Sequence, residues 1–144
     1  MLAVFGTAVY AGPTPTDVSE KVIKIFKATF TTAQDVKWTE YEDKYAVSFS
    51  MDGIQSKVTY DKDGNMLSSL RYYTPERLPV NIFSRLKKKY DDRTLFGVTE
   101  MTNDQEVTYY VKMYDAKNWY TIKVDAGGSM ELYEKLKRAD IGKF

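Results

Sequence analysis

The chain of 144 residues is 43% hydrophobic and 15% aromatic, which is enough to form a core in one compact domain or in two fused half-domains. Its 21 Lys and Arg residues nearly balance 20 Asp and Glu residues, so the charge gives no indication of nucleic-acid binding. Cys and His are both absent. This excludes disulfides, thiolate nucleophiles, the common zinc ligands and the usual general base of hydrolases.

The first eleven residues, MLAVFGTAVYA, are uncharged and end in Val9-Tyr10-Ala11, which places permissive residues at a signal-peptidase cut. We therefore interpret residues 1–11 as a signal-peptide remnant and expect an exported chain, periplasmic or secreted, that begins at Gly12. A basic n-region is missing, and the alternative is an edge strand or a tail. The run is about half the ~20 apolar residues that a membrane span needs, so no membrane span is predicted.

A helix is predicted over residues 17–30, with Thr16 as its N-cap and acidic residues in its first turn. Its apolar stripe contains Val18, Val22, Ile25, Phe26 and Phe30. Beyond residue 30 the apolar period changes to two, which is typical of half-buried antiparallel strands. The alternating residues are Val36 and Trp38, then Tyr45, Val47 and Phe49, then Val58 and Tyr60. Turn residues separate these runs at 42–43, 52–53 and 61–64, and a fourth strand is predicted over about 66–73.

The same succession follows in the second half of the chain. Residues 74–79 interrupt the strands, and Pro79 is predicted at the first position of a helix over about 80–90. Its Lys87-Lys88-Lys89 run is interpreted as a solvated face rather than an anion site. Strands are predicted over about 95–101, 107–114, 120–124 and 130–136, with Tyr109, Val111, Tyr120 and Ile122 among the core residues.

The two halves match when they are aligned, which predicts an internal duplication. Phe30 corresponds to Tyr90 at the helix end, and Tyr45-x-Val47-x-Phe49 corresponds to Tyr109-x-Val111-x-Met113. The offset grows from 60 at the helices to 64 at the strands. An insertion of four residues is therefore predicted in the loop or the first hairpin of the second copy.

The sequence DKDGN at 61–65 resembles part of a calcium loop, but an EF-hand needs Gly and Glu where Met66 and Tyr72 stand. The second copy keeps the Asp and the last Gly, as Asp125 and Gly128, and has Gly127 in place of Asp63. An Asp that opens the turn and a Gly that accepts positive φ are what a short hairpin loop requires. A turn, and no metal site, is predicted.

An ordered set of motifs resembles one family. The set is a helix, then A-x-x-V-x-W at 33–38, Y-x-V-x-F at 45–49, Y-D-x-D-G at 60–64, and Leu-Pro at 78–79 before the second helix. The chain resembles, over residues 15–137, the PepSY-like family of exported proteins from Gram-negative gut bacteria, which is also described as β-lactamase-inhibitor-like. PepSY domains take their name from peptidase propeptides, and the family has no established activity.

The resemblance implies an α+β fold of two tandem helix-plus-four-stranded antiparallel sheet repeats, similar to β-lactamase inhibitory protein, with the helices on one face of the sheet. The repeats would span residues 12–74 and 75–144. The second copy departs from the pattern, because Val98 stands where Trp38 does and Ala116 replaces Gly53. Equivalent surfaces on the two halves are therefore not expected.

The sheet face opposite the helices is predicted to be aromatic and basic in the second repeat. Arg71 and Tyr73 join it on the condition that Leu70 and Tyr72 point to the core. The predicted partner-binding residues are Arg71, Tyr73, Tyr110, Lys112, Tyr114, Trp119 and Lys123. Such side chains suit protein recognition, and the alternative is that they only stabilise the sheet by cross-strand pairing.

We therefore predict a non-catalytic exported binding module with a protein partner in the cell envelope. Inhibition of an envelope enzyme is one form that this binding can take. The sequence indicates no catalytic residue, cofactor, metal or nucleic-acid partner, and it does not indicate an oligomeric state. The alternatives are a carbohydrate-binding envelope protein or a hydrolase that uses a carboxylate pair, Glu40 with Glu42 or Asp61 with Asp63.

Overall fold

The computed structural model describes residues 18–139, and in them one helix followed by four strands occurs twice. The first succession is α1 (Glu20–Thr29), β1 (Gln34–Glu40), β2 (Lys44–Met51), β3 (Ile54–Asp61) and β4 (Met66–Tyr73). The second is α2 (Val80–Lys89), β5 (Thr94–Asn103), β6 (Glu106–Tyr114), β7 (Asn118–Asp125) and β8 (Met130–Lys137), with a 3-10 turn at Pro75–Arg77 before α2. The predicted leader, residues 1–11, lies outside the described residues.

The eight strands form one antiparallel sheet in which the spatial order is the chain order, β1 to β8. The α+β fold predicted from the sequence is confirmed. Paired residues on neighbouring strands share a face of the sheet, and one such row runs from Phe49 through Ser56, Arg71 and Glu100 to Tyr109. Phe49 packs under α1 and Tyr109 packs under α2. Both helices therefore cover the same face.

Helix α1 covers the first half of the sheet with an apolar stripe that includes the fully buried Val22 and Phe26. The Phe26 ring lies 5.4, 5.3 and 5.1 Å from the rings of Phe30, Trp38 and Phe49. The helix begins after Ser19, whose Oγ accepts a hydrogen bond from the N–H of Val22 at 3.3 Å. The predicted N-cap, Thr16, is therefore wrong.

Helix α2 covers the second half, where Ile82 and Leu86 pack against residues of β5, β6 and β7. Pro79 is the N-cap of this helix rather than its first residue, and its carbonyl accepts from the N–H groups of Ile82 and Phe83 at 3.0 and 2.9 Å. No helix in the described part of the chain is long and apolar enough to cross a membrane.

The hairpin turn predicted at 61–65 is confirmed. Asp61 ends β3, and its Oδ1 accepts from the N–H groups of Asp63 and Asn65, each at 2.9 Å. Gly64 has φ +94° and lies so close to Ile25 of α1 that a Cβ there would collide with that side chain. The carboxylate is thus occupied in forming the turn.

The β7–β8 turn repeats this construction. The N–H of Ser129 donates to Asp125 Oδ1 at 2.9 Å, and Gly128 has φ +93°. A Cβ at Gly128 would collide with the guanidinium of Arg85 on α2. Each of these two turns therefore fits under the helix of its own half.

Strand pairing shows where the two halves differ in length. Trp38 lies opposite Val47, and Val98 lies opposite Val111, so the β5–β6 hairpin has the four extra residues that the sequence offset predicted. Asp104 and Gln105 form its tip, with φ of 49° and 67°. The duplication itself stays a prediction.

A candidate binding face on the uncovered side of the sheet

Alternation along β6 and β7 divides their side chains between the two sides of the sheet. Tyr109, Val111 and Met113 are buried under α2, as are Tyr120, Ile122 and Val124. The residues between them point to the uncovered side. They are Tyr110, Lys112, Tyr114, Trp119, Thr121 and Lys123. The predicted orientation of these six side chains is confirmed.

Three rings form a contiguous patch at one end of this side. The Trp119 ring lies 5.0 Å from Tyr114 and 5.1 Å from Phe96, in tilted and edge-to-face geometry. The Arg138 guanidinium lies 4.9 Å from the Tyr114 ring centre, and Lys112 Nζ lies 5.8 Å from that of Trp119. Aromatic pairs and cations at such distances hold one another in position.

A second ring pair lies beside a shallow depression. The rings of Tyr110 and Tyr133 are 5.0 Å apart with an edge-to-face interplanar angle of 71°. The depression has a volume of about 540 Å³, and rings of Phe96, Tyr110 and Tyr133 line it. Gly97 and Thr121, which have small side chains, also line it. The space beside Gly97 is open, because a Cβ added there would meet no atom within 4 Å.

We call the set Phe96, Tyr110, Tyr114, Trp119 and Tyr133 the aromatic face. The sequence analysis did not predict that Phe96 and Tyr133 belong to this face. In the structure their side chains are 58% and 62% exposed. Each is the extra residue of a β-bulge, since the pairing skips Phe96 between Leu95 and Gly97 and skips Tyr133 between Leu132 and Glu134. Strict alternation cannot place a bulge residue. The glycine that follows Phe96 was the signal in the sequence for a bulge at this position, because a glycine inside a strand often marks one.

Arg71 and Tyr73 do not lie on this side, and the prediction that placed them there is wrong. Arg71 lies opposite Ser56 and Glu100, and Tyr73 packs against the core under α2. Leu70 and Tyr72, which were expected to point to the core, occupy the uncovered side instead, and Tyr72 lines the depression.

A third bulge is the physical reason. Met66 lies opposite the buried Tyr60, and strict alternation from Met66 would turn positions 70 and 72 toward the helices. The pairing then skips Leu67, and this extra residue reverses the alternation for the rest of β4. Arg71 and Tyr73 consequently lie on the helix-covered side of the sheet.

Glu100 joins Arg71 and Tyr73 in a polar cluster on the helix-covered side. The Tyr73 hydroxyl donates to Glu100 Oε1 at 2.6 Å, and Arg71 Nη1 lies 3.2 Å from Oε2. The pKa of Tyr73 is raised well above its ordinary value, mainly by burial and also by this hydrogen bond to the carboxylate. The cluster links β4 to β5, where the two halves of the sheet meet.

Apart from Tyr72 on β4, the uncovered side of the first half has a different character. On β2 and β3 its residues are Ala46, Ser48, Ser50, Gln55, Lys57 and Thr59. None of them is aromatic. The two halves therefore share their fold but not their surface, as the departures in the second copy indicated.

One member of each carboxylate pair considered for a hydrolase is engaged in another contact. Glu40 is the last residue of β1 and its Oε2 binds Lys62 Nζ at 2.8 Å, whereas Glu42 follows in the turn. The pKa of Asp61 is lowered, first by its side-chain hydrogen bond with Asn65 and then by backbone N–H groups. A general acid needs the opposite shift. Among residues 18–139, no group of three or more acidic side chains is arranged to hold a metal ion.

No protein-family model matches the chain, and no curated protein matches it. Solved structures do. A BLIP-like protein from Bacteroides fragilis has 17% sequence identity and a TM-score of 0.63, over 90% of this chain and 89% of that chain. A DUF2874 family protein from Bacteroides ovatus has 18% identity and a TM-score of 0.62, over 92% and 93%. A protein from Bacteroides eggerthii that is named as periplasmic has 17% identity and a TM-score of 0.62, over 91% and 94%.

The chain has the fold of these Bacteroides proteins. The similarity to a BLIP-like fold, which the sequence motifs implied, is thereby confirmed at the level of the fold. Membership of the PepSY-like family stays a prediction.

Proposed function

We propose that the chain is a non-catalytic binding module exported to the cell envelope, and that its aromatic face binds a protein partner there. The periplasmic name of the Bacteroides eggerthii structure supports export, as does the uncharged leader-like segment at residues 1–11. The fold shared with a BLIP-like protein supports a binding role, and inhibition of an envelope enzyme is the finer form of this proposal.

The observation that carries the proposal is the aromatic face itself. Five rings lie together on the uncovered side of one half of the sheet, and two of them, Phe96 and Tyr133, are more than half exposed. Tyr and Trp dominate the energetics of protein interfaces because they bury large areas at a small cost in conformational entropy. Rings that served only to stabilise the sheet would not need to leave this much surface in water.

The cations beside the rings support a partner surface with acidic groups, and Glu131 and Glu134 lie on the same side of the sheet. In residues 18–139 the ion pairs are Lys62 with Glu40 and Arg71 with Glu100, so Lys112 and Lys123 on the uncovered side are in neither. Unpaired cations at a rim steer an acidic partner and raise its association rate. We therefore expect binding that weakens as salt is raised.

The proposal is tested by capture from a periplasmic extract of a Gram-negative gut bacterium, followed by binding measurements on the purified captured protein. Wild type is compared with Tyr110→Ala/Trp119→Ala, which removes one ring from each part of the aromatic face. The matched control is Tyr41→Ala/Gln55→Ala, two exposed positions in the first half. We expect the first variant to lose about 100-fold in affinity and the control to bind like wild type. Equal binding by all three proteins would refute the proposal.

Carbohydrate binding is the second candidate, and the depression is the observation that favours it. Aromatic rings can stack on sugar faces, and the depression combines the rings of Tyr110 and Tyr133 with the hydroxyl groups of Thr99 and Thr121. A glycan array distinguishes the two candidates. A glycan signal that Tyr110→Ala/Trp119→Ala abolishes, with no protein captured, would favour the carbohydrate.

We also propose that the two halves, residues 12–74 and 75–144, arose by tandem duplication. Support comes from the repeated succession of one helix and four strands, and from the repeated Asp and Gly construction of the β3–β4 and β7–β8 turns. In this view the aromatic face developed in the second copy alone.

A further inference from the structure

A second concavity lies on the helix-covered side of the sheet, in the gap between α1 and the central strands. This helix-side pocket has a volume of about 250 Å³, which is below the ~300–1,000 Å³ typical of sites for drug-sized ligands. Its apolar lining consists of Phe30, Phe49, Met51, Ile54, Val58 and Met66. These residues lie on the opposite side of the sheet from the aromatic face, so the two sites are separate.

The polar side chains of the helix-side pocket come from β3 and β4. Ser56 is buried, and Ser69 and Arg71 are half-buried. Asp52 lines the pocket at the β2–β3 turn, where Arg77 Nη1 donates to its backbone carbonyl at 2.9 Å. Arg71 therefore supplies a guanidinium to a lining whose other polar residues are Asp52, Ser56 and Ser69.

Arg71 has hydrogen-bonding capacity to spare. Both of its bonds to Glu100 come from Nη1, at 3.2 and 3.4 Å, and these are long for a charge-assisted bond, which typically measures about 2.7–2.9 Å. The shorter bond of Glu100 is the one from the Tyr73 hydroxyl, at 2.6 Å. Nη2 and Nε of Arg71 take no part in the contact with Glu100, and together they form a fork that matches a carboxylate.

We infer that the helix-side pocket binds a small carboxylate with an apolar chain, such as a medium-chain fatty acid. The chain lies among Phe49, Val58 and Met66, and the carboxylate accepts two hydrogen bonds from Arg71. The apolar lining and the guanidinium select for this combination, because an alcohol of the same length leaves the fork unpaired and a short acid leaves the apolar lining in water.

The inference is tested by titrating the isotope-labelled chain with sodium octanoate, 1-octanol and sodium butanoate and following backbone amide shifts by NMR. We expect octanoate to shift amides of β3, β4 and the β2–β3 turn. Octanol should bind about tenfold more weakly, since a hydrogen-bonded ion pair is lost. Butanoate should bind more than tenfold more weakly, since each buried methylene is worth about fourfold.

Two variants and two controls locate the ligand. Arg71→Gln removes the fork, and Ser69→Leu fills the pocket, so both should weaken octanoate binding by tenfold or more. Ser68→Leu is the matched control for the second, because Ser68 is next in the chain and points to the other side of the sheet. Arg85→Gln, on α2, is the control for the first.

Octanol binding as tight as that of octanoate would overturn the inference, and so would octanoate binding that survives Ser69→Leu. An absence of shifts at ~1 mM octanoate would also overturn it. The comparison of octanoate with octanol uses wild type alone, so it tests the role of the ligand's carboxylate even where Arg71→Gln fails to fold. Tyr110→Ala/Trp119→Ala should bind octanoate normally, which separates this inference from the proposed function.

Discussion

Aspartate side chains organise three of the hairpin turns, and they do so by the same local bonding. Oδ1 of Asp61, of Asp115 and of Asp125 accepts a backbone N–H from two to four residues further along the chain. Because the donor and the acceptor are neighbours in sequence, these turns were predictable from residue type and spacing alone. The β6–β7 turn also shows how Ala116 is accommodated: the backbone there avoids the positive φ that Gly53 adopts in the first half.

Asp115 makes an acid-sensitive contact that a titration can detect. The Tyr120 hydroxyl donates to its Oδ2 at 2.7 Å, and with backbone N–H groups of Lys117 and Asn118 this lowers its pKa from 3.8 to about 2. A depressed folded-state pKa gives stabilisation that is present above about pH 4 and is lost as the pH falls toward 2.

We therefore predict that Asp115→Asn flattens the fall of Tm between pH 4 and pH 2 relative to wild type. Tm is measured by circular dichroism across that range. Asp43→Asn, at the exposed β1–β2 turn, is the control and should keep the wild-type slope. Parallel curves for Asp115→Asn and wild type would show that this carboxylate does not contribute.

At the scale of elements, periodicity predicted the two helices and the succession of strands along the chain because amphipathic alternation is a local property. It could not predict the bulges at Leu67, Phe96 and Tyr133, since a bulge depends on how one strand pairs with the next. Those three extra residues explain the orientation error at Arg71 and Tyr73 and the two rings that were missed. Alternation was reliable in β6 and β7, where the inner residues are buried and Tyr110 and Trp119 were placed correctly.

The bond between Tyr73 on β4 and Glu100 on β5 is predicted to stabilise the junction of the two halves. A hydrogen bond to a charged group contributes about 1.5–3 kcal/mol, so Tyr73→Phe should lower the free energy of unfolding by about 2 kcal/mol. In a double-mutant cycle with Glu100→Gln, measured by urea denaturation, the two changes should couple by about 1 kcal/mol. Tyr133→Phe, at an exposed tyrosine, should change stability by no more than about 0.5 kcal/mol. A coupling near zero would contradict this role.

At the scale of the whole molecule, two apolar clusters lie under one continuous sheet. Val22 belongs to the cluster under α1 and Ile82 to the cluster under α2, with no buried residue in common. The polar cluster of Arg71, Tyr73 and Glu100 lies between them. The sequence alignment predicted two similar halves, but it could not predict whether their cores would be separate, because that depends on contacts between distant residues. The surfaces of the halves differ because they depend on side chains that point to solvent.

Separate clusters predict additive effects on stability. Val22→Ala should cost about 2 kcal/mol and Ile82→Val about 1 kcal/mol. In the double variant the two costs should add to within about 0.5 kcal/mol, as determined by chemical denaturation. Ile82→Val with Ile122→Val, inside one cluster, is the comparison. A coupling above about 1 kcal/mol between Val22 and Ile82 would show that the sheet transmits packing changes from one half to the other.

The order of the strands in the sheet has a consequence for how the chain folds. Every strand pairs only with the strands that precede and follow it along the chain, so the backbone closes short loops throughout, including the single helix-containing link between β4 and β5. Low contact order favours rapid folding, and loop-closure entropy is small at each step. The polypeptide can therefore add hairpin after hairpin from its N-terminal end as it leaves a ribosome or a translocation channel, without waiting for a distant segment.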